Sequence, residues 1–177
     1  MKDTKSEQSS RPSLQGTSIG RPGDPLLMTS LLTCLVWMDR CLQRNVMARG
    51  WERLSRPESQ VMLLVWSGTC RPIDIARTLG ASRQAINQTL KLLVGRNLLE
   101  LVPDPDDGRC KIVRFTETDT GMRRDALDVI GRIEETLAER LGNRNFERAK
   151  QTLAMDWGDI PMFPIEGRRG NPSRSSK

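Results

Sequence analysis

"RPIDIARTLGASRQAINQTLKLLVGRNLLELVPDPDDGRCKIVRFT", Arg71 to Thr116, holds two helical patterns, a glycine between them and two strand-like runs. Pro72 to Leu79 reads as a short helix broken at Gly80-Ala81, and Ser82 is a natural N-cap for a longer helix to about Gly95. Ala76, Gly80 and Ile86 stand at the spacing of a helix-turn-helix: a small residue at the helix crossing, glycine in the turn, a β-branched anchor beyond it. Ile75, Leu79, Leu90 and Leu93 supply the packing behind them. The opposite face of the second helix carries Ser82, Arg83, Gln84, Asn87, Gln88 and Lys91. These side chains hydrogen-bond to base edges and phosphates, and they leave the end of a helix that enters a major groove.

Two β-prone runs follow, Leu98 to Val102 and Lys111 to Phe115, with Pro103, Pro105 and Gly108 in the turn-rich stretch between them. A hairpin directly after a helix-turn-helix is a wing. Arg109 at its tip suits a narrow minor groove, whose negative potential attracts guanidinium. Asp107, two residues earlier, is expected to hold that side chain extended, and the other acids to shape the turn. Lys111 joins the expected DNA contacts.

Outward from this centre the pattern stays helical. Asp24-Pro25 offers an N-cap and a proline at the first helical position. Apolar residues then recur at Leu31, Leu32, Leu35, Val36, Met38, Leu42 and Val46 until Arg49-Gly50. Ser55-Arg56-Pro57-Glu58 is a capping box for a helix to Ser67-Gly68. Past the wing, Thr116 is expected to cap a long helix with apolar positions Met122, Ala126, Val129, Ile130, Ile133, Leu137 and Leu141, broken at Gly142-Asn143. A last helix carries Phe146, Ala149, Leu153 and Trp157. Long apolar stripes at both ends exceed what the middle can cover, so a symmetric dimer is expected. Residues 1–23 and 159–177 read as a polar disordered tail and a basic tail.

From Leu54 to Gly121 the chain resembles the MarR (multiple-antibiotic-resistance regulator) family of winged-helix transcription factors. "LSRPES", "IARTLGASRQAINQTLKLL", "LLELVPDPDDGRCKIVRFT" and the Thr116 to Gly121 turn carry the likeness. The resemblance implies a mainly α fold with a small β-hairpin wing (α+β), a winged helix-turn-helix with N- and C-terminal dimerisation helices. It implies one such domain over 24–158, with dimerisation helices in 24–49 and 117–158 and a DNA-binding lobe in 55–116. Carried over, Arg83, Gln84, Asn87 and Gln88 meet bases or nearby phosphates, and Asp107-Gly108-Arg109 is the wing motif. The expected function is a homodimeric repressor reading a pseudo-palindromic operator on double-stranded DNA.

In that family a small molecule entering between the dimerisation helices and the winged domain often releases DNA, and Trp37, Arg40, Trp51 and Trp66 are the candidates to line such a place. The alternative on the same scaffold is a thiol sensor at Cys34 and Cys41, which share a helix face. Peroxide-sensing relatives hold the reactive cysteine with tyrosines. This chain has no Tyr, which favours buried, inert cysteines.

Composition bounds the rest. Lys and Arg outnumber Asp and Glu by 28 to 22 over 177 residues, a net charge of +6 that suits an anionic partner. There is no histidine, which excludes His-based triads and His metal sites. The four cysteines form no CxxC pair, and no phosphate loop, GxSxG elbow or paired-carboxylate motif is present. Neither an enzyme, a metal nor a cofactor is expected. No apolar run approaches the ~20 residues of a membrane span, so the expected setting is the cytoplasm, with no membrane partner.

Overall fold

The computed structural model describes residues 23, 24, 26–118 and 120–163. The expected tails fall largely outside them, as does Pro25. Eight elements follow one another: α1 (Leu27–Ala48), α2 (Arg56–Trp66), α3 (Pro72–Leu79), α4 (Arg83–Gly95), β1 (Leu99–Pro103), β2 (Lys111–Phe115), α5 (Thr120–Leu141) and α6 (Asn143–Leu153). The chain divides into two compact units, one to Glu134 and one from Glu135.

In the first unit, α1 starts later than the Asp24-Pro25 signal places it. Leu26 keeps an extended backbone (φ −78°, ψ 136°), accepts the Ser30 N–H at 2.9 Å and acts as N-cap without a side-chain acceptor. Its other end is as expected: Gly50, at φ 89°, donates to the Met47 carbonyl, while the Trp51 N–H reaches back to Val46. The Ser55 N–H and hydroxyl donate to Glu58 Oε2 at 2.7 and 2.6 Å, the expected capping box of α2. Arg96, at the end of α4, adds ion pairs to Glu58 and Glu52.

The helix-turn-helix pattern packs as its spacing demands. Gly80 sits at φ 61° in the turn, Ser82 Oγ accepts the Ala85 N–H at 3.1 Å, and Ile75, Ala76, Ile86, Leu90 and Leu93 are buried. With Val61, Leu99 and Val113 they form the core between α2, α3, α4 and the hairpin. Asn97, not Gly95, takes the left-handed conformation (φ 56°) that ends α4, and the Leu98 N–H then closes on the Leu93 carbonyl.

β1 and β2 pair antiparallel from Leu99↔Phe115 to Pro103↔Lys111. Thr116 does not cap α5. Its buried hydroxyl donates to the Asn97 carbonyl at 2.7 Å, tying the base of the hairpin to the end of α4, and α5 begins only at Thr120. Trp51 donates from Nε1 to Asp125 at 2.8 Å and packs against Gly121, where a Cβ would approach its ring to 3.0 Å. Arg49 pairs with Asp125 and Asp128 beside it.

In the second unit, Gly142 (φ 82°) separates α5 from α6 as its sequence predicts. α6 stops at Leu153, so Trp157 lies beyond it. An Asp156 side chain accepting the Gly158 N–H at 3.0 Å turns the chain there instead.

Candidate nucleic-acid interface

Ser82 and the buried anchors Ile86, Leu90 and Leu93 fix the rotation of α4. That rotation leaves Ser82, Arg83, Gln84, Asn87, Gln88 and Lys91 all exposed. A depression between this face and the hairpin is lined by Arg71, Pro72, Ile73, Arg83, Asn87, Cys110 and Lys111. It brings Arg83 and Asn87 of the helix to Lys111 of the wing, and none of its lining residues is acidic. Gln84, Gln88 and Lys91 lie outside that depression. Arg109 stands exposed at the hairpin tip.

The charge pattern sharpens the picture. Arg49, Arg71, Arg77, Arg96, Arg114 and Arg132 each have a carboxylate partner. Among the described residues, Arg83, Lys91, Arg109 and Lys111 form no ion pair, so no described carboxylate neutralises the cations of this face.

The acids at the tip are used differently from the sequence expectation. Asp107 Oδ1 accepts the backbone N–H of Arg109 at 3.1 Å, and its other oxygen takes the Cys110 thiol at 3.4 Å. Asp107 therefore shapes the turn and does not hold the Arg109 guanidinium. That hydrogen bond and the Asp107 charge push the Cys110 thiol up, away from thiolate.

Asp104 is the residue that sequence inspection undervalued. It is buried after β1, with its side chain 3% exposed. The Asp106 N–H holds the Asp104 carboxyl below its usual range; burial opposes this, and the Arg71 guanidinium adds to it. An Arg–Asp pair separated by 33 positions leaves no local signature, and Arg71 before Pro72 reads only as the residue preceding a helix.

The aromatic candidates do not form one site. Trp66 packs edge-on to Phe115 (centroids 6.3 Å, planes at 70°) and lines an apolar groove with Leu42, Met62, Met122 and Ile130. Trp51 is occupied with Asp125, and Trp37 and Arg40 line no part of that groove. Trp37 and Arg40 stand on α1, Trp51 on the loop after it and Trp66 at the end of α2. Arg123, 5.2 Å above the Phe115 ring, is the cation on the groove that sequence reading missed.

The cysteines are not buried as expected. Cys34 is exposed and Cys41 half-buried, because the apolar face of α1 on which they lie is open in the single chain. Seven residues of helix separate them by about 10.5 Å along the axis, beyond the roughly 7 Å Cα reach of a disulfide. Cys41 Sγ instead accepts from Asn45 at 3.6 Å.

No curated protein sequence matches this chain. The MarR family model matches residues 54–109. Among solved structures, the wild-type apo form of MarR from E. coli is 18% identical, with a TM-score of 0.55 over 73% of this chain and 95% of that one. A cysteine-to-serine mutant of the same E. coli protein, complexed with operator DNA, gives 18% and 0.55 over 72% and 90%. The transcriptional regulator PA4135 is 16% identical, with 0.59 over 73% and 93%. In this chain the helix-turn-helix and hairpin lie in sequence between two long helices, and no described helix is long and apolar enough to cross a membrane. Residues 54–109 thus match the MarR family model, and the chain has the winged-helix fold seen in these solved structures.

Proposed function

We propose that the chain is a sequence-specific DNA-binding regulator, acting as a homodimer that represses from a pseudo-palindromic operator. One observation carries this reading: Arg83 and Asn87 of α4 and Lys111 of the wing converge on a single depression without an acidic side chain. Amide side chains pair bidentately with adenine edges, and unpaired Arg and Lys release counterions from phosphate. The related E. coli protein complexed with operator DNA supports the same use of the fold. Two such surfaces related by a twofold axis read half-sites about one helical turn, roughly 34–36 Å, apart.

The groove beside Trp66 and Phe115 is the place for a releasing effector with an apolar body and an anionic head directed to Arg123. The test is fluorescence anisotropy on the duplex upstream of the chain's own gene, across a salt series, with scrambled duplex as competitor. Preference for the upstream duplex with a steep salt slope is expected. Equal affinity for both duplexes overturns sequence-specific recognition.

A further inference from the structure

Beyond the Thr116 bond at its base, the wing is tied to the helices by two consecutive residues. The Cys70 carbonyl accepts the Val113 N–H of β2 at 2.8 Å. The next residue, Arg71, brings Nε and Nη2 each to 2.7 Å from Asp104 Oδ2, just past the end of β1. Asp104 Oδ1 accepts the Asp106 N–H at 3.0 Å, and the Asp104 N–H donates to the Cys110 carbonyl at 3.0 Å. One carboxylate thus closes the tip turn and joins it to the start of α3. From residue 103 to 112, this pair is the only polar side-chain link from hairpin to helices among the described residues.

A two-stranded hairpin alone is marginally stable, so without a tether its tip samples many angles. Arg71 lies at the rim where the angle matters, with its side chain 47% exposed beside Arg83, Asn87 and Lys111. Asp104, by contrast, is turned inward and meets no duplex.

We propose that Arg71 and Asp104 are positioning residues for DNA recognition: their ion pair fixes the wing to α4 so that Arg109 and the α4 side chains engage one duplex together. The inference rests on the DNA-binding reading above. Because the pair acts through the wing, its loss is bounded by the loss of the wing arginine itself.

The experiment is a double-mutant cycle in the full chain, with Asp104→Asn, Arg109→Ala and both together, read by anisotropy on the operator duplex alongside thermal melts. Asp104→Asn keeps the size of the side chain and an acceptor for Asp106 while turning the carboxylate neutral. It is expected to weaken binding about tenfold, with a melting temperature close to wild type, and to add little to Arg109→Ala. Arg71→Gln, on a half-exposed side chain, repeats the cycle if the Asn variant does not fold. Arg71→Lys, which keeps the charge, should recover most of the affinity. Binding by Asp104→Asn equal to or tighter than wild type overturns the proposal, since Arg71 would then be a phosphate contact that Asp104 holds back. Strictly additive losses also overturn it, because they place the pair's effect outside the wing. A wild-type chain that binds no operator duplex removes the DNA reading and this role together, an outcome distinct from a binding wild type with an indifferent Asp104→Asn.

Discussion

Arg109 forms no ion pair among the described residues, and Asp107 bonds the turn backbone and the Cys110 thiol instead. Its guanidinium is free for the groove, so Arg109→Ala should weaken operator binding by about 1–3 kcal/mol while leaving the melt unchanged. Unaltered affinity at moderate salt would remove the wing from the interface. On α4, one turn separates core from surface. Ile86→Ala should lower stability by about 2–5 kcal/mol, since Ile86 is buried. Ala at exposed Gln84 or Asn87 should hardly move the melting temperature and should relax preference at single operator positions. Lys91→Ala should weaken every sequence alike and flatten the salt dependence. Melts paired with binding to operator variants check all three; unfolding by Gln84→Ala with base preference intact would mean the helix is rotated. Much of this was legible in the sequence, because Ser82, Gly80 and Ile86 each perform a local task with few substitutes. The Arg71–Asp104 pair was not, because proximity across the fold, not spacing along the chain, creates it.

At the scale of elements, α1 shows what a single chain leaves undone. Leu27, Met28, Leu31, Leu32 and Leu35 are exposed, Met28 by 83%. The amphipathic stripe predicted the helix correctly, but nothing in its periodicity says whether the covering surface is in the same chain. Phe146 is only half-buried on α6, and Leu153 and Trp157 are exposed. Dimerisation through the terminal helices would cover these residues. The protein should therefore run as a dimer at micromolar concentration, and deletion of residues 143–177 should abolish both dimer and DNA binding. Light scattering decides it: a truncated chain that remains dimeric refutes this role for α6. The boundaries that sequence misplaced were set by single backbone events, extended Leu26 before α1 and the Thr116–Asn97 bond before α5.

For the whole molecule, acid is the condition that reaches several joints at once. Burial alone would raise the Glu58 carboxyl; the Ser55 hydroxyl and N–H, with Arg96, outweigh it and hold the group below its ordinary value. The Arg49 hydrogen bond does the same for Asp128 against a smaller effect of burial. A carboxylate with a depressed folded pKa contributes stability above its unfolded pKa, and that contribution is lost as pH falls through the folded value. The melting temperature should accordingly drop as the buffer is taken from neutral to about pH 3, and the gap between wild type and Glu58→Gln should narrow over the same window. A gap that stays constant with pH would show that the charge of Glu58 does not stabilise α2.

The open face of α1 has a consequence for gene dosage. If two copies must meet to cover it, pairing rises with the square of subunit concentration, while an unpaired copy offers apolar surface to chaperones and proteases. Low synthesis then yields mostly degraded singles, and a modest rise in synthesis yields a disproportionate rise in the assembled form. Such a protein sets a threshold on its own expression before any operator is involved.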